Sequence, residues 1–245
     1  MSMEPMTEAI ITIVVALVLA VLSYYMDLLT KYGAIVSVIT GMIVGIFGSL
    51  SWFLVLILFT VAGFAATRVG FFRKKAQGLQ EGVRGERNHM NVLGVGIAPC
   101  IFAVMHFILP DEYSLLTGIG FIASIAVAAA DTIASEIGVK DKNVILCTTF
   151  KRVPPGTDGG ISVLGTLAAL AGAVFASILG WVVMYHELDV LMLIPIAAGM
   201  VGCFMDSLFG ATIESSGRIS KYTNNASTGV IGALFAMLTA YPFLF

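Results

Sequence analysis

Two acidic residues stand at matching positions, where an apolar segment gives way to a polar one. Asp131 opens the sequence DTIASEIG, Asp206 lies in MDSLFGAT, and each is followed by hydroxyl residues. A carboxylate near hydrocarbon is costly unless it is paired or bound to a metal, so such residues indicate function. Two matching motifs predict a shared cation. The simpler interpretation is that these acids pair with Lys140, Lys151 or Arg218, or are solvated helix ends.

A proline- and glycine-rich segment, KRVPPGTDGGIS, lies between the two acidic motifs over residues 151–162. Glycines allow positive φ and a close approach to a ligand, and the next apolar run predicts a helix whose N-terminus favours phosphate. Lys151 and Arg152 can offset phosphate charge, and Asp158 can bind Mg²⁺, which prefers oxygen ligands. No Walker A sequence is present. The alternative is a simple turn in which Asp158 or Ser162 caps the helix.

Residues 68–91 form the longest polar stretch and contain two basic clusters. The first, Arg73-Lys74-Lys75, is typical of a headgroup anchor and topology signal. The second contains Arg84 and Arg87, whose guanidinium groups can bind phosphate in a bidentate manner.

The elements that must position these residues are apolar helices. The chain is 58% hydrophobic and 11% charged, whereas soluble domains carry about 25% charge. Eight runs approach the roughly 17–25 residues that cross a bilayer. They are residues 9–25, 34–50, 52–67, 92–109, 115–130, 161–185, 190–209 and 228–245. We therefore predict an all-α integral membrane protein, a bundle of about eight helices in the lipid bilayer.

If these spans alternate in direction, all 13 Lys and Arg residues fall on one side. The positive-inside rule makes that side cytoplasmic and places both termini outside. We expect one transmembrane domain over residues 1–245, with N-terminal spans in 1–67, a cytoplasmic basic loop in 68–91, and catalytic spans and loops in 92–245. The active site is then expected at the cytoplasmic helix ends.

Three blocks of the sequence resemble a known family in order and content. They are DTIASEIG at residues 131–138, VPPGTDGGISVLGTLA at 153–168 and GCFMDSLFGA at 202–211. The resemblance is to the membrane family that includes plant phytyl-phosphate kinase and transmembrane protein 19. It spans roughly residues 80–230 and is most specific in PPGTDGG and MDSLFGA. This family is similar to the CTP-using polyprenol kinases and the CDP-lipid synthases.

The resemblance implies a kinase that converts an isoprenoid monophosphate, such as phytyl or geranylgeranyl phosphate, to the diphosphate. The implied partners are Mg²⁺ and a nucleoside triphosphate, with CTP favoured. No nucleic-acid partner is expected, and a homodimer is compatible with the sequence. The expected catalytic residues are Asp131, Asp206 and Lys151. The expected metal ligands are Asp131, Glu136, Asp158 and Asp206. The expected nucleotide and phosphate contacts are Arg84, Arg87, Arg152, Pro155, Gly156, Thr157, Asp158, Gly159, Gly160 and Ser162.

Two other functions stay open at this point. Paired membrane acids and a helix interrupted by proline and glycine also build the ion sites of cation-coupled transporters. A cytidylyltransferase that forms a CDP-lipid would use similar groups. The released product separates the three: nucleoside diphosphate for a kinase, pyrophosphate for the transferase, and neither for a transporter.

Overall fold

The computed structural model describes residues 4–76, 78, 80 and 82–245. Within them, eight helices are long and apolar enough to cross a membrane, which confirms the predicted all-α architecture. The helices are α1 (Pro5–Tyr25), α2 (Lys31–Ile43), α3 (Leu50–Ala76), α4 (His89–Ile108), α5 (Ser114–Gly138), α6 (Val163–Tyr185), α7 (Leu193–Phe209) and α8 (Lys221–Leu244). Single π-helical turns extend α2 over Val44–Gly48 and α7 over Gly210–Glu214.

Helices α3 and α5 end later than the hydropathy pattern predicts. α3 continues to Ala76, so the first part of the expected basic loop is helical, and α5 continues to Gly138, so Asp131 lies inside a helix. Lys74 and Glu136, near the ends of these two helices, form a buried ion pair at 2.8 Å. Because each charge satisfies the other, both helices can carry a charged residue at their packed ends.

The central helix is α5. In its apolar window 83% of residues are buried, against 17% in α1 and 44% in α6. It contacts α3, α4, α6, α7 and α8. Small residues make this packing possible: a Cβ on Gly172 of α6 would stand 2.7 Å from the Ala129 carbonyl oxygen. Helices approach each other closely in membranes where such small residues meet.

The even-numbered helices all begin at the end of the bundle where α1, α3, α5 and α7 finish, which we call the polar end. A polar side chain caps each of these four helices by accepting a hydrogen bond from a backbone N–H two or three residues on, which satisfies a donor the helix leaves open. The four capping residues are Thr30, Asn88, Ser162 and Ser220.

The connections at the polar end interlock. The Arg87 N–H donates to the Leu28 carbonyl at 3.0 Å, and the Thr30 N–H donates to the Arg87 carbonyl at 3.1 Å, which joins the first connection to the second. Strands β1 (Ile145–Leu146) and β2 (Gly160–Ile161) pair antiparallel in the connection between α5 and α6. This hairpin is fastened to the end of α7, where the Cys147 thiol donates to the Ser207 carbonyl at 3.3 Å.

The packing of α5 against α6 predicts the effect of a larger residue at Gly172. A valine there would force the two helices apart, which costs about 1–3 kcal/mol for an overpacked core. We expect Gly172→Val to lower the melting temperature of the purified protein in detergent. The matched control is Ala171→Val, because Ala171 is exposed on the outer face of the same helix. Equal melting temperatures for both variants would contradict this packing.

Candidate active site

Asp131 of α5 and Asp206 of α7 lie side by side at the polar end. Their carboxyl groups are within hydrogen-bonding distance of each other. Both line a small cavity of about 10 Å³, roughly the space of one water-sized particle. Its lining residues are Val95, Val127, Ala128, Asp131, Asp206, Asn225 and Thr228.

Small residues one helical turn deeper bring the two carboxylates together. A Cβ on Gly202 would stand 2.7 Å from Val127 Cγ1, so only glycine allows α7 to approach α5 this closely. Val127 lies four residues before Asp131, and Gly202 lies four residues before Asp206. Residues four apart share a helix face. The contact between Gly202 and Val127 therefore fixes both acids at the same depth.

The first turn of α8 supplies amide groups to this pair. With its side-chain nitrogen turned towards Asp206, Asn225 donates to Asp206 Oδ1 at 3.2 Å and to the Lys221 carbonyl at 2.9 Å. Asn224, which is 1% exposed, donates to the Asp206 carbonyl at 3.1 Å and to Glu214 Oε2 at 2.8 Å. Three elements, α5, the end of α7 and the start of α8, thus build one site.

Glu214 adds a third acid at the edge of the pair. It closes the π-helical turn after α7, and its carboxylate interacts electrostatically with Asp131, Asp158 and Lys221. Lys221 also interacts with Asp206. The site is therefore strongly acidic, with one neighbouring lysine.

The glycine-rich loop packs against this acidic site. Gly159 has φ of +74°, which favours glycine, and a Cβ there would stand 2.6 Å from the Ala211 nitrogen. The Gly159 carbonyl accepts a hydrogen bond from the Cys147 N–H at 3.0 Å. Because Gly159 is held against the turn that follows α7, its neighbour Asp158 comes within electrostatic range of Glu214. Asp158 itself is exposed.

The N-terminus of α6, where the sequence predicts phosphate, carries its own protein partners. Ser162 Oγ accepts from the Gly165 N–H at 3.1 Å, and Asp141 Oδ2 accepts from the Leu164 N–H at 3.4 Å. Hydrogen bonds from the backbone N–H of Asn143 and then of Leu164 hold the pKa of Asp141 below its usual range. A carboxylate at this terminus satisfies the helix dipole. The phosphate contact expected at this helix end, including Ser162, stays a prediction.

Four other residues predicted from the sequence lie in three places away from the carboxylate pair. Lys151 and Arg152 are exposed on the turn of the hairpin. Glu136 faces α3, where it pairs with Lys74, and does not join Asp131. Arg84 forms an exposed ion pair with Asp27 at 2.6 Å. The roles expected of these residues stay predictions.

Pro155, Gly156 and Thr157 belong to the loop that leads to Gly159. Gly156 has φ of +84°, and Thr157 Oγ1 donates to the Pro154 carbonyl at 2.7 Å. Gly160 follows as the first residue of β2, and its N–H donates to the Thr157 carbonyl at 2.9 Å. These bonds tighten the loop into a fixed turn beside the acids.

Sequence reasoning gave no site role to Glu214, Lys221, Asn224 or Asn225. One signal was available: the adjacent asparagines open an otherwise apolar helix directly after a charged connection. Polar side chains inside a membrane helix indicate a partner or a ligand. Their partner could not be read from spacing, because Glu214 and Asp206 precede them in a different helix.

The geometry fits a divalent ion that is bound by two carboxylates and takes its other ligands from water or a phosphate. Within the described part of the chain, no group of three or more His, Cys, Asp or Glu side chains is arranged to hold a metal. Mg²⁺ is usually bound through one or two carboxylates, with water and substrate phosphate oxygens completing its coordination. The two adjacent carboxylates of Asp131 and Asp206 fit that requirement.

The fold and site define a multi-span membrane protein with an acidic site at one end of its helix bundle. The sequence model of the family described as integral membrane protein DUF92 matches residues 14–239, and the chain belongs to this family. The family expected from the motif blocks is thereby confirmed.

Several relatives match over most of the chain. An uncharacterized membrane protein of Methanocaldococcus jannaschii is 32% identical over 97% of this chain and 96% of its own length. The chloroplastic protein VTE6 of Arabidopsis thaliana is 32% identical over 79% of this chain and 60% of its own length. Protein PGR of the same plant is 29% identical over 90% of this chain and 84% of its own length. No solved structure matches the chain.

The paired carboxylates predict that a divalent ion stabilises the protein. An ion that binds only the folded state raises the free energy of unfolding by about 2.7 kcal/mol when its concentration is roughly 100 times its Kd. We expect Mg²⁺ to raise the melting temperature of the wild-type protein in detergent, and Asp206→Asn to abolish the rise. Without Mg²⁺, Asp206→Asn should melt higher than the wild type, because the amide removes a like-charge repulsion.

The control is Glu187→Gln, because Glu187 is an exposed acid in the connection from α6 to α7, at the opposite end of the bundle. This variant should respond to Mg²⁺ as the wild type does. A full Mg²⁺ response in Asp206→Asn would exclude this pair as the ion site.

Proposed function

We propose that the protein is a membrane-embedded kinase that transfers a phosphoryl group from a nucleoside triphosphate to an isoprenoid monophosphate, forming the diphosphate. CTP is the favoured donor, and phytyl or geranylgeranyl phosphate the acceptor. The observation that carries the proposal is the contact between the Asp131 and Asp206 carboxyl groups. The family resemblance of the three motif blocks supplies the substrate class.

Phosphoryl transfer depends on positioning and charge neutralisation more than on covalent chemistry by the protein. Asp131 and Asp206 would hold Mg²⁺, and the bound ion would neutralise negative charge on the phosphates. Asn225 orients the Asp206 carboxylate by its hydrogen bond, and Asn224 ties Glu214 to the backbone of Asp206. The side chains that would meet the ion are thus held before it binds.

The glycine-rich loop would receive the donor phosphates. The backbone of residues 156–160 is held against the end of α7 by Gly159, beside the acids. Lys151 and Arg152 are exposed near this loop and would offset the charge of the triphosphate. Asp158, in electrostatic contact with Glu214, would lie where a metal-bound phosphate enters.

The acceptor needs little activation by the protein. A phosphate monoester is already anionic at neutral pH, since its second pKa is about 6, so no general base is required. Its apolar tail would lie in the bilayer while its phosphate meets the donor at the polar end. The distribution of Lys and Arg predicts that this end faces the cytoplasm, where nucleotides are present.

The proposal is tested by incubating the purified protein with Mg²⁺, geranylgeranyl monophosphate and each nucleoside triphosphate in turn. We expect lipid diphosphate and nucleoside diphosphate to form in equal amounts, fastest with CTP. Asp131→Ala and Asp206→Ala should each reduce turnover by about 100-fold or more, because they remove charge stabilisation of the transferring group. Glu187→Gln should retain full turnover.

Each alternative gives a different product. Pyrophosphate with a CDP-lipid would indicate a cytidylyltransferase, and cation flux into vesicles without nucleotide consumption would indicate a transporter. Either result would replace the kinase proposal. Full turnover in both aspartate variants, checked to be folded by their melting temperatures, would refute the assigned ion site.

A further inference from the structure

A second buried polar group lies on a different face of α5. Glu136 accepts from Lys74 Nζ at 2.8 Å and from Thr67 Oγ1 at 3.2 Å. Arg87 Nη2 donates to Thr67 Oγ1 at 3.4 Å. Lys74, Glu136 and Thr67 are 8%, 6% and 7% exposed. We call these four residues the seam cluster, because they fill the seam between α3 and α5.

The seam cluster carries an excess of positive charge. Glu136 neutralises Lys74. Each member of such a buried ion pair needs the other, because either alone would be an uncompensated buried charge. Over residues 4–76, 78, 80 and 82–245, no carboxylate forms an ion pair with Arg87. A guanidinium has five N–H donors, of which Thr67 takes one at long distance. Arg87 therefore keeps donors and charge for another group.

The Arg87 guanidinium lies against the apolar part of α3. It stands 5.3 Å from the centre of the Phe64 ring, and a Cβ on Gly63 would be 3.6 Å from its Nη2. Gly63 and Phe64 both belong to the candidate span Leu50–Arg68. A charge beside a membrane span is costly without a partner.

The backbone holds Arg87 in this place from both sides. Its N–H and carbonyl bond to Leu28 and Thr30 in the connection from α1 to α2. The next residue, Asn88, caps α4. A side chain anchored in this way is positioned before a ligand arrives, which reduces the entropy lost on binding.

The seam cluster also lies near Thr132, the residue that follows Asp131 on α5. The Cβ position on Gly63 is 4.0 Å from the Thr132 methyl group as well as 3.8 Å from Arg87 Nη1. Thr132 follows Asp131 directly, and neighbouring residues of a helix point about 100° apart. One face of α5 thus carries Asp131, and Arg87 lies near the adjoining face, which carries Thr132.

We propose that the seam cluster binds the phosphate of the membrane-borne acceptor, with Arg87 as the contact residue. Lys74 and Glu136, linked through Thr67, are positioning residues. The ligand chemistry is a phosphomonoester anion. The position of the guanidinium beside Phe64, in the candidate span Leu50–Arg68, favours a phosphate that is attached to a lipid tail over that of a water-soluble nucleotide. The identity of the lipid as an isoprenoid rests on the proposed function.

The test measures binding of geranylgeranyl monophosphate to the purified protein in detergent, without nucleotide. Arg87→Ala should weaken binding by about 10-fold or more, as expected for loss of a charge-assisted bidentate contact. Arg87→Lys should recover binding in part, because lysine keeps the charge and lacks the planar fork. The matched control is Arg68→Ala, since Arg68 is exposed on α3 and should leave binding unchanged. Melting temperatures establish that the variants fold.

Two further binding measurements establish whether the bound phosphate belongs to a lipid, to a nucleotide or to free phosphate. CTP binding should be the same in Arg87→Ala and in the wild type, and inorganic phosphate should compete only at far higher concentration than the lipid. Unchanged lipid binding in Arg87→Ala would overturn the inference. So would a loss confined to CTP, or equal affinity for inorganic phosphate and lipid phosphate.

These outcomes are separable from failure of the proposed kinase. Lipid binding that depends on Arg87, in a protein that forms no lipid diphosphate, would support the seam site and refute the kinase. Turnover with an unchanged KM for the lipid in Arg87→Ala would support the kinase and overturn the seam site.

Discussion

The site depends on one contact: the carboxyl groups of Asp131 and Asp206, from separate helices, lie within hydrogen-bonding distance of each other inside a membrane protein. Close packing one turn deeper, where Gly202 meets Val127, sets the depth of both acids. Two nearby unit charges repel strongly where water is scarce. The Asn225 amide donates to one oxygen of the Asp206 carboxyl group, and a divalent ion bound between the two acids is our proposal for the remaining partner.

Helix α5 organises the remaining chemistry because it is enclosed on nearly all sides. Asp131 faces α7 and α8, and Glu136 faces α3. Asp131 of the acidic site and Glu136 of the seam cluster thus share one rigid helix, which fixes the separation of these two carboxylates. Sites built on regular elements are held more accurately than sites on loops.

Much of the architecture could be predicted from the sequence, because a bilayer imposes a length and a composition on each span. The matching depth of Asp131 and Asp206 could also be predicted, since both spans run in the same direction. The partners of Glu136 could not be predicted. A shift of one residue turns a helical side chain by about 100°, and this rotation determines whether the side chain faces α7 or α3. Arg84 and Arg87 have similar surroundings in the sequence. In the structure Arg84 forms an exposed ion pair with Asp27, whereas Arg87 lies over the ring of Phe64. Such differences arise from contacts between distant connections, which local spacing does not encode.

Diffraction from crystals grown with Mn²⁺ in place of Mg²⁺ would establish whether Asp131 and Asp206 share one divalent ion. We expect an anomalous peak within coordination distance, about 2.0–2.2 Å, of an oxygen from each of the two carboxylates. An ordered site in which both carboxylates are visible and the Mn²⁺ peak lies elsewhere would contradict this expectation.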